Sequence, residues 1–157
     1  LEDEFGFTEA GISAVVFGLG AFELLASVTS ARRTDTWGKE RSTIFGALLI
    51  LPAGLLLTVG HNNAIIGLIL LGIYLLGFEF SIVSMLPLSA NLIPSSPGRG
   101  LGIVLAGGTL GRASMSLIGT AAYDKFGINV PSFIGAVCAA GMIGCIVAYG
   151  RTTKNNA

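Results

Sequence analysis

Three charged side chains, Glu23, Glu79 and Arg112, interrupt long apolar stretches of this 157-residue sequence. A carboxylate or guanidinium near the centre of a lipid bilayer costs at least about 2.5 kcal/mol, so such a group normally faces protein or water and has a partner. These residues are therefore the candidates for handling protons or a substrate inside a membrane. The alternative is that they form a buried structural ion pair.

Small and polar residues share the helical face of each charge. At a step of 100° per residue they are Ser27 and Ser30 for Glu23, Gly72 for Glu79, and Gly108, Ser116 and Gly119 for Arg112. Glu23 and Glu79 fall in the same half of the bilayer and Arg112 near its midplane, an offset that a long arginine side chain can span. We predict that Arg112 pairs with Glu79 or Glu23.

The elements that carry these charges are predicted to be transmembrane helices. The chain is 52% hydrophobic and 11% charged, with 23 glycines and a mean hydropathy of +0.79, whereas soluble proteins have about 25% charged residues. Runs long enough to cross a bilayer, about 20 residues, occur at 10–30, 42–60, 64–88, 100–123 and 131–150. The sequence therefore predicts an all-α membrane protein with five transmembrane helices.

The basic residues predict the orientation of these helices. Seven lie in segments on one side of the membrane, against Lys125 on the other: Arg32, Arg33, Lys39, Arg41, Arg99, Arg151 and Lys154. Because basic residues concentrate on the cytoplasmic side, we expect the N-terminal end outside and the C-terminus in the cytoplasm. The chain begins at Leu1 rather than Met, and its first residues are acidic, unlike a signal peptide. We expect it to be a fragment of a longer protein.

Small residues at intervals of four predict where helices pack, because helices in lipid associate through close backbone approach. Such a stripe runs along the last span, and Gly107 and Gly111 repeat the spacing in the fourth. The stripe consists of Ala136, Ala140, Gly144 and Ala148.

No enzyme or metal site is predicted. The glycine-rich segment 98–112 lacks the spacing of a nucleotide-binding loop, and His61 has no neighbouring metal ligands. Cys138 and Cys145 lie seven residues apart on one helix, too far for a disulfide. A net charge of zero gives no indication of nucleic-acid binding. We expect no cofactor.

The charged segment 29–42 carries a resemblance to a known family. Five of its residues resemble the cytoplasmic loop motif of major facilitator superfamily transporters, in a degenerate form in which Thr36 and Glu40 replace basic positions. The matching residues are Asp35, Trp37, Gly38, Lys39 and Arg41. The degeneracy favours the second copy of the motif, between the eighth and ninth helices.

Other segments are similar to the same family. Residues 77–100 resemble the tenth helix and following loop of bacterial drug and sugar efflux permeases, the group labelled arabinose efflux permeases, and residues 123–127 resemble the end of the eleventh helix. The fifth-helix antiporter motif is absent, since Gly111 is followed by Arg112 rather than Pro. This departure favours the C-terminal half, helices eight to twelve.

The resemblance implies a part of a secondary transporter in the inner membrane that moves a small solute by alternating access, as a proton-coupled efflux antiporter. Its partners would be the bilayer, the missing N-terminal half, a small-molecule substrate and protons, with spans one, three and four at the centre. Asp35, Gly38, Lys39 and Arg41 would form a cytoplasmic gating loop, or the basic residues would only fix topology. The competing hypothesis is a complete five-span structural or assembly subunit of a membrane complex.

Overall fold

Five long helices make up the computed structural model, which describes residues 8–60 and 62–155, with side chains up to Thr152. They are α1 (Glu9–Trp37), α2 (Lys39–Gly60), α3 (Ala64–Ala90), α4 (Pro97–Phe126) and α5 (Asn129–Asn155). Each is long and apolar enough to cross a membrane. The predicted all-α architecture with five transmembrane helices is confirmed, and each helix is longer than its apolar run.

A single residue, Gly38, connects α1 to α2. Its φ of +92° is open to glycine and strained for other residues, and its N–H donates to the carbonyl oxygen of Thr34 at 3.0 Å. The expectation of a cytoplasmic loop between the spans 10–30 and 42–60 is therefore wrong, because all of the segment 29–42 except Gly38 is helical. No glycine or proline occurs between Gly20 and Gly38, so the backbone continues as a helix while charged side chains project outward.

The other connections are also short and locally determined. Asn63 caps α3, since its side-chain oxygen accepts hydrogen bonds from the N–H groups of Ile65 and Ile66 at 3.0 and 3.2 Å. Pro97 begins α4, where its missing N–H costs nothing, and Gly127 ends that helix with a φ of +63°. His61, predicted to lie in the turn before α3, is outside the described residues.

The most enclosed helix is α2, which packs against α3 on one side and α5 on the other. Its closest approach to α3 is at Gly46 and Gly77, where a methyl group added to Gly77 would lie 2.7 Å from the carbonyl oxygen of Gly46. The hydroxyl of Ser81 also donates to the carbonyl oxygen of Thr43 at 3.3 Å. Small residues thus bring these two backbones together, as expected in a membrane bundle.

The face that α5 turns towards the bundle differs from the predicted stripe. Of that stripe only Ala136 is buried, whereas Ala140, Gly144 and Ala148 are exposed. The buried residues of α5 are Ser132, Ala136, Ala139 and Ile146. Residues four apart on a helix are rotated by 40° at each step, so a strict four-residue stripe winds around the helix. Residues at mixed spacings of three and four stay on one face and can follow a straight contact line.

The two outer helices are α1, which lies against α3, and α4, which makes lighter contacts with α3 and α5. Within the described part of the chain Gly100 is the one buried residue of α4. Methyl groups added at Gly107 and Gly111 would contact nothing within 4 Å. The packing seam predicted there is therefore not used within this bundle.

Candidate functional site

Three buried hydroxyl groups join α1 to α3. The Ser84 hydroxyl on α3 lies 2.7 Å from the Ser30 hydroxyl and 3.0 Å from the Thr34 hydroxyl, both on α1. Ser30 also donates to the carbonyl oxygen of Phe80 at 3.2 Å. Each of the three hydroxyl-bearing residues is at most 4% exposed. These contacts fix the rotation of α1 relative to α3, since hydroxyl groups inside a membrane need partners.

The carboxylate of Glu79 extends this hydroxyl cluster by one helical turn. Ser27 on α1 donates a hydrogen bond to Glu79 Oε1 at 2.5 Å, and Glu79 is half-buried. Glu23 lies one turn before Ser27 on the same face of α1, is also half-buried, and makes no hydrogen bond or ion pair with any residue that the structure describes. Two carboxyl groups therefore border one polar interface between helices.

The α1–α3 interface is parallel, because rising residue numbers on α1 meet rising numbers on α3. Ser27, Ser30 and Thr34 follow one another at spacings of three and four, the pattern of one helical face. Ser27 and Ser30 were predicted to share the face of Glu23, whereas Thr34 and Ser84 were not predicted to belong to the site. Their spacing was the available signal, although it could not identify α3 as the partner helix.

The predicted ion pair of Arg112 with Glu79 or Glu23 is not formed. Among the described residues Arg112 makes no hydrogen bond or ion pair, and its side chain is exposed on α4. Glu79 faces α1 and lies about 120° around α3 from Met85, which lines the same groove as Arg112. The prediction failed because the depth of a residue in the membrane and its face on one helix do not determine how the helices are arranged. In the bundle, α1 and α4 contact different sides of α3.

Arg112 instead lines a groove between α3, α4 and α5 with a volume of about 350 Å³. The lining is mostly apolar and includes Tyr74 and Ser81, which lie about two turns apart on α3. All three methionines of the chain line it, one from each helix: Met85, Met115 and Met142. Cys138 of α5 also faces this groove, whereas Cys145 is not part of its lining.

An aromatic cluster holds the corner between α1 and α2. Trp37 lies next to Gly38, with ring centroids 5.9 Å from Phe45 of α2 and 6.2 Å from Phe80 of α3. Phe45 and Phe80 meet edge to face at 5.4 Å. The guanidinium of Arg33 lies over the Trp37 ring at 5.9 Å, within the range of a cation–π contact.

The charged motif residues around this corner are at least partly exposed and form no ion pairs within the described bundle. Asp35 and Arg41 are exposed, Lys39 is half-exposed, and none of their charged groups forms an ion pair within the described chain. Glu40, which departs from the motif, packs against α5, because a methyl group added to Gly150 would lie 2.7 Å from Glu40 Oε2. No pattern of residues in the sequence predicts that contact.

Comparison with known families agrees with this arrangement of apolar helices and motif residues. The model of the Major Facilitator Superfamily matches residues 1–156. The chain belongs to the major facilitator superfamily. No curated protein and no solved structure matches it.

Membership of the superfamily assigns the chain to multi-pass membrane transport proteins rather than to enzymes. Its surroundings are accordingly a lipid bilayer, and its substrate is a small molecule. Among the described residues no cluster of three or more His, Cys, Asp or Glu side chains could hold a metal ion. The candidate functional regions of this superfamily member are therefore the Ser27–Glu79 interface, the Arg112 groove and the α1–α2 corner.

Proposed function

We propose that the chain is the C-terminal half of an efflux antiporter, helices eight to twelve, which exchanges a small solute for protons by alternating access. The support is the uneven enclosure of its charged helices. α1 and α4 carry Glu23 and Arg112, yet the most apolar windows of these helices are 6% and 0% buried, against 39% for α2. Helices with charges in the membrane pack against protein or water-filled space, and a second half of the transporter would supply both.

In the orientation that we propose, the chain spans the inner membrane of the cell, with the α1–α2 corner in the cytoplasm and the N-terminal end outside. The basic groups at that corner and at Arg99 and Arg151 support it through the positive-inside rule. Asp35, Lys39 and Arg41 project from the corner with no partner in the described chain. We propose that they contact helix ends of the other half when the cytoplasmic side is closed.

The carboxyl group of Glu79 is our candidate for the proton-carrying group, and the single observation behind it is the hydrogen bond from Ser27. An ionised carboxylate accepts this bond, whereas a protonated carboxyl group can donate to the hydroxyl oxygen instead. The bond crosses the interface between α1 and α3. Protonation of Glu79 would thus alter a contact between two helices, which is what coupling of protons to helix movement requires.

The test is proton-driven transport by the complete transporter polypeptide in everted membrane vesicles. Three probes cover the solute classes: ethidium as an organic cation, arabinose as a neutral sugar, and 1-anilinonaphthalene-8-sulfonate as an amphipathic anion. For the probe that is moved, Glu79→Gln should lower the proton-driven rate by about tenfold or more, a barrier increase of about 1.4 kcal/mol. Glu9→Gln is the matched control, because Glu9 is exposed at the start of α1.

Two results would contradict the proposal. Wild-type transport rates in the Glu79→Gln variant, at equal protein level, would exclude Glu79 as the proton-carrying group. A polypeptide that moves none of the three probes in response to a pH gradient would contradict proton-coupled efflux of these solute classes.

A further inference from the structure

We infer that the groove between α3, α4 and α5 binds an amphipathic organic anion, whose charged group pairs with Arg112 and whose apolar body lies among the methionines. This anion would be the solute that the transporter moves, and only that identification rests on the proposed function. Binding itself is a property of the groove.

The first observation is an arginine without a counter-charge. Arg112 makes no ion pair or hydrogen bond with any described residue, and the part of the groove lining that the structure describes contains no Asp or Glu. A guanidinium is not deprotonated in a protein, so it cannot escape the cost of its position by becoming neutral. An anion in the groove would supply the missing partner through charge-assisted hydrogen bonds.

The depth of Arg112 indicates that this anion is not a lipid headgroup. Arg112 is the sixteenth residue of the 30-residue α4, so about 21 Å of helix lies on either side of it. In a bilayer with a hydrocarbon core about 30 Å thick, a residue at the helix midpoint lies well below the phosphates. The anion must therefore enter the groove, and its body must tolerate apolar surroundings.

The lining of the groove fits such a body. Tyr74 and the three methionines present an aromatic ring and flexible, polarisable thioethers, which adapt to ligands of different shape. The groove volume of about 350 Å³ lies at the lower end of the range for small-molecule sites. The hydroxyl of Tyr74 adds a polar group to this lining, whereas the hydroxyl of Ser81 is engaged with the carbonyl oxygen of Thr43.

Two cysteines allow a sharp test, because Cys138 lines the groove and Cys145, seven residues later on α5, does not. They are the only cysteines in the chain. The complete transporter polypeptide is placed in lipid nanodiscs, and the rate of alkylation by N-ethylmaleimide is measured at Cys138 and at Cys145 by mass spectrometry. The competitors are 1-anilinonaphthalene-8-sulfonate and N-phenyl-1-naphthylamine, which share an apolar body and differ in the sulfonate.

The sulfonate probe should slow alkylation of Cys138 in a saturable manner and leave Cys145 unaffected, while the uncharged probe should protect neither cysteine at the same concentration. Loss of a charged hydrogen bond costs about 1.5 to 3 kcal/mol, so Arg112→Gln should raise the half-protecting concentration by about tenfold or more. Arg112→Lys should retain most of the protection because it keeps the charge. Arg41→Gln, which removes an exposed charge at the α1–α2 corner, is the control.

Equal protection by the two probes would overturn the inference, because the groove would then recognise only the apolar body. Equal protection of both cysteines would overturn it as well, since the probe would be acting through the lipid. These two comparisons use the unmodified chain and remain decisive even if Arg112→Gln fails to fold. If the sulfonate probe does not protect Cys138 while transport of another solute still depends on Glu79, this ligand class is rejected and the proposed function stands.

Discussion

The close contact between α2 and α3 gives a quantitative prediction for the change Gly77→Ala. The added methyl group would lie 2.7 Å from the carbonyl oxygen of Gly46 and 2.8 Å from Leu49 Cβ, whereas ordinary contacts begin at 3.4 Å. Because the first obstacle is backbone, no side-chain rotation relieves it. The two helices must separate by about 0.7 Å to restore an ordinary contact.

Such a separation acts on the whole α2–α3 interface. A gap of about 0.5 to 1 Å forfeits about a quarter to a half of the dispersion energy of each atom pair across it, and the hydrogen bond from Ser81 to Thr43 is already at 3.3 Å. We therefore expect Gly77→Ala to lower the free energy of unfolding by about 1 to 3 kcal/mol, the usual cost of overpacking.

The assay is equilibrium unfolding in mixed micelles, followed by the fluorescence of Trp37, the single tryptophan of the chain. Its contacts with Phe45 and Phe80 make it a reporter of α1, α2 and α3 together. Gly107→Ala is the matched control, since it makes the same change on α4 with nothing within 4 Å. If the two variants unfold with equal free energy, the close crossing of α2 and α3 is not a determinant of stability.

Two further changes test the α1–α3 interface and the corner. Ser84→Ala removes the hydroxyl shared by two α1 side chains, so it should lower the free energy of unfolding by about 1 kcal/mol. The control Ser114→Ala, at an exposed site where the hydroxyl bonds within its own helix, should change that free energy little. Equal effects of the two variants would contradict a specific polar interface. Gly38→Ala imposes a φ of +92° on alanine and should cost about 1 to 3 kcal/mol, whereas Gly20→Ala, in open surroundings within α1, should be neutral or stabilising. An unchanged melting transition for Gly38→Ala would show that another backbone conformation serves the corner equally well.

The number and type of elements could be predicted because membrane-length apolar runs have few alternatives to helix. The ends of the helices could not, since charged residues such as Arg32 and Asp35 project into water without interrupting the helical backbone. Only Gly38, which the sequence marks as part of a motif, ends α1, and it does so through its backbone freedom.

The candidate site was predictable residue by residue but not pair by pair. Glu23, Glu79 and Arg112 stand out as membrane charges, and the polar face around Ser27 follows from helical spacing. Which helices meet depends on rotation and crossing in the assembled bundle, which periodicity within one helix does not fix. For that reason Glu79 contacts Ser27 rather than Arg112.

A comparison of net transport with exchange tests whether the carboxyl group of Glu79, bonded to Ser27, carries the coupling proton. With the transported probe on one side of the membrane, proton-driven flux requires Glu79 to release its proton. With the probe on both sides, exchange requires only the movement of the loaded transporter. We expect Glu79→Gln to lower net proton-driven flux by about tenfold or more while exchange of the same probe continues. Loss of both in a folded protein, or retention of both, would contradict it.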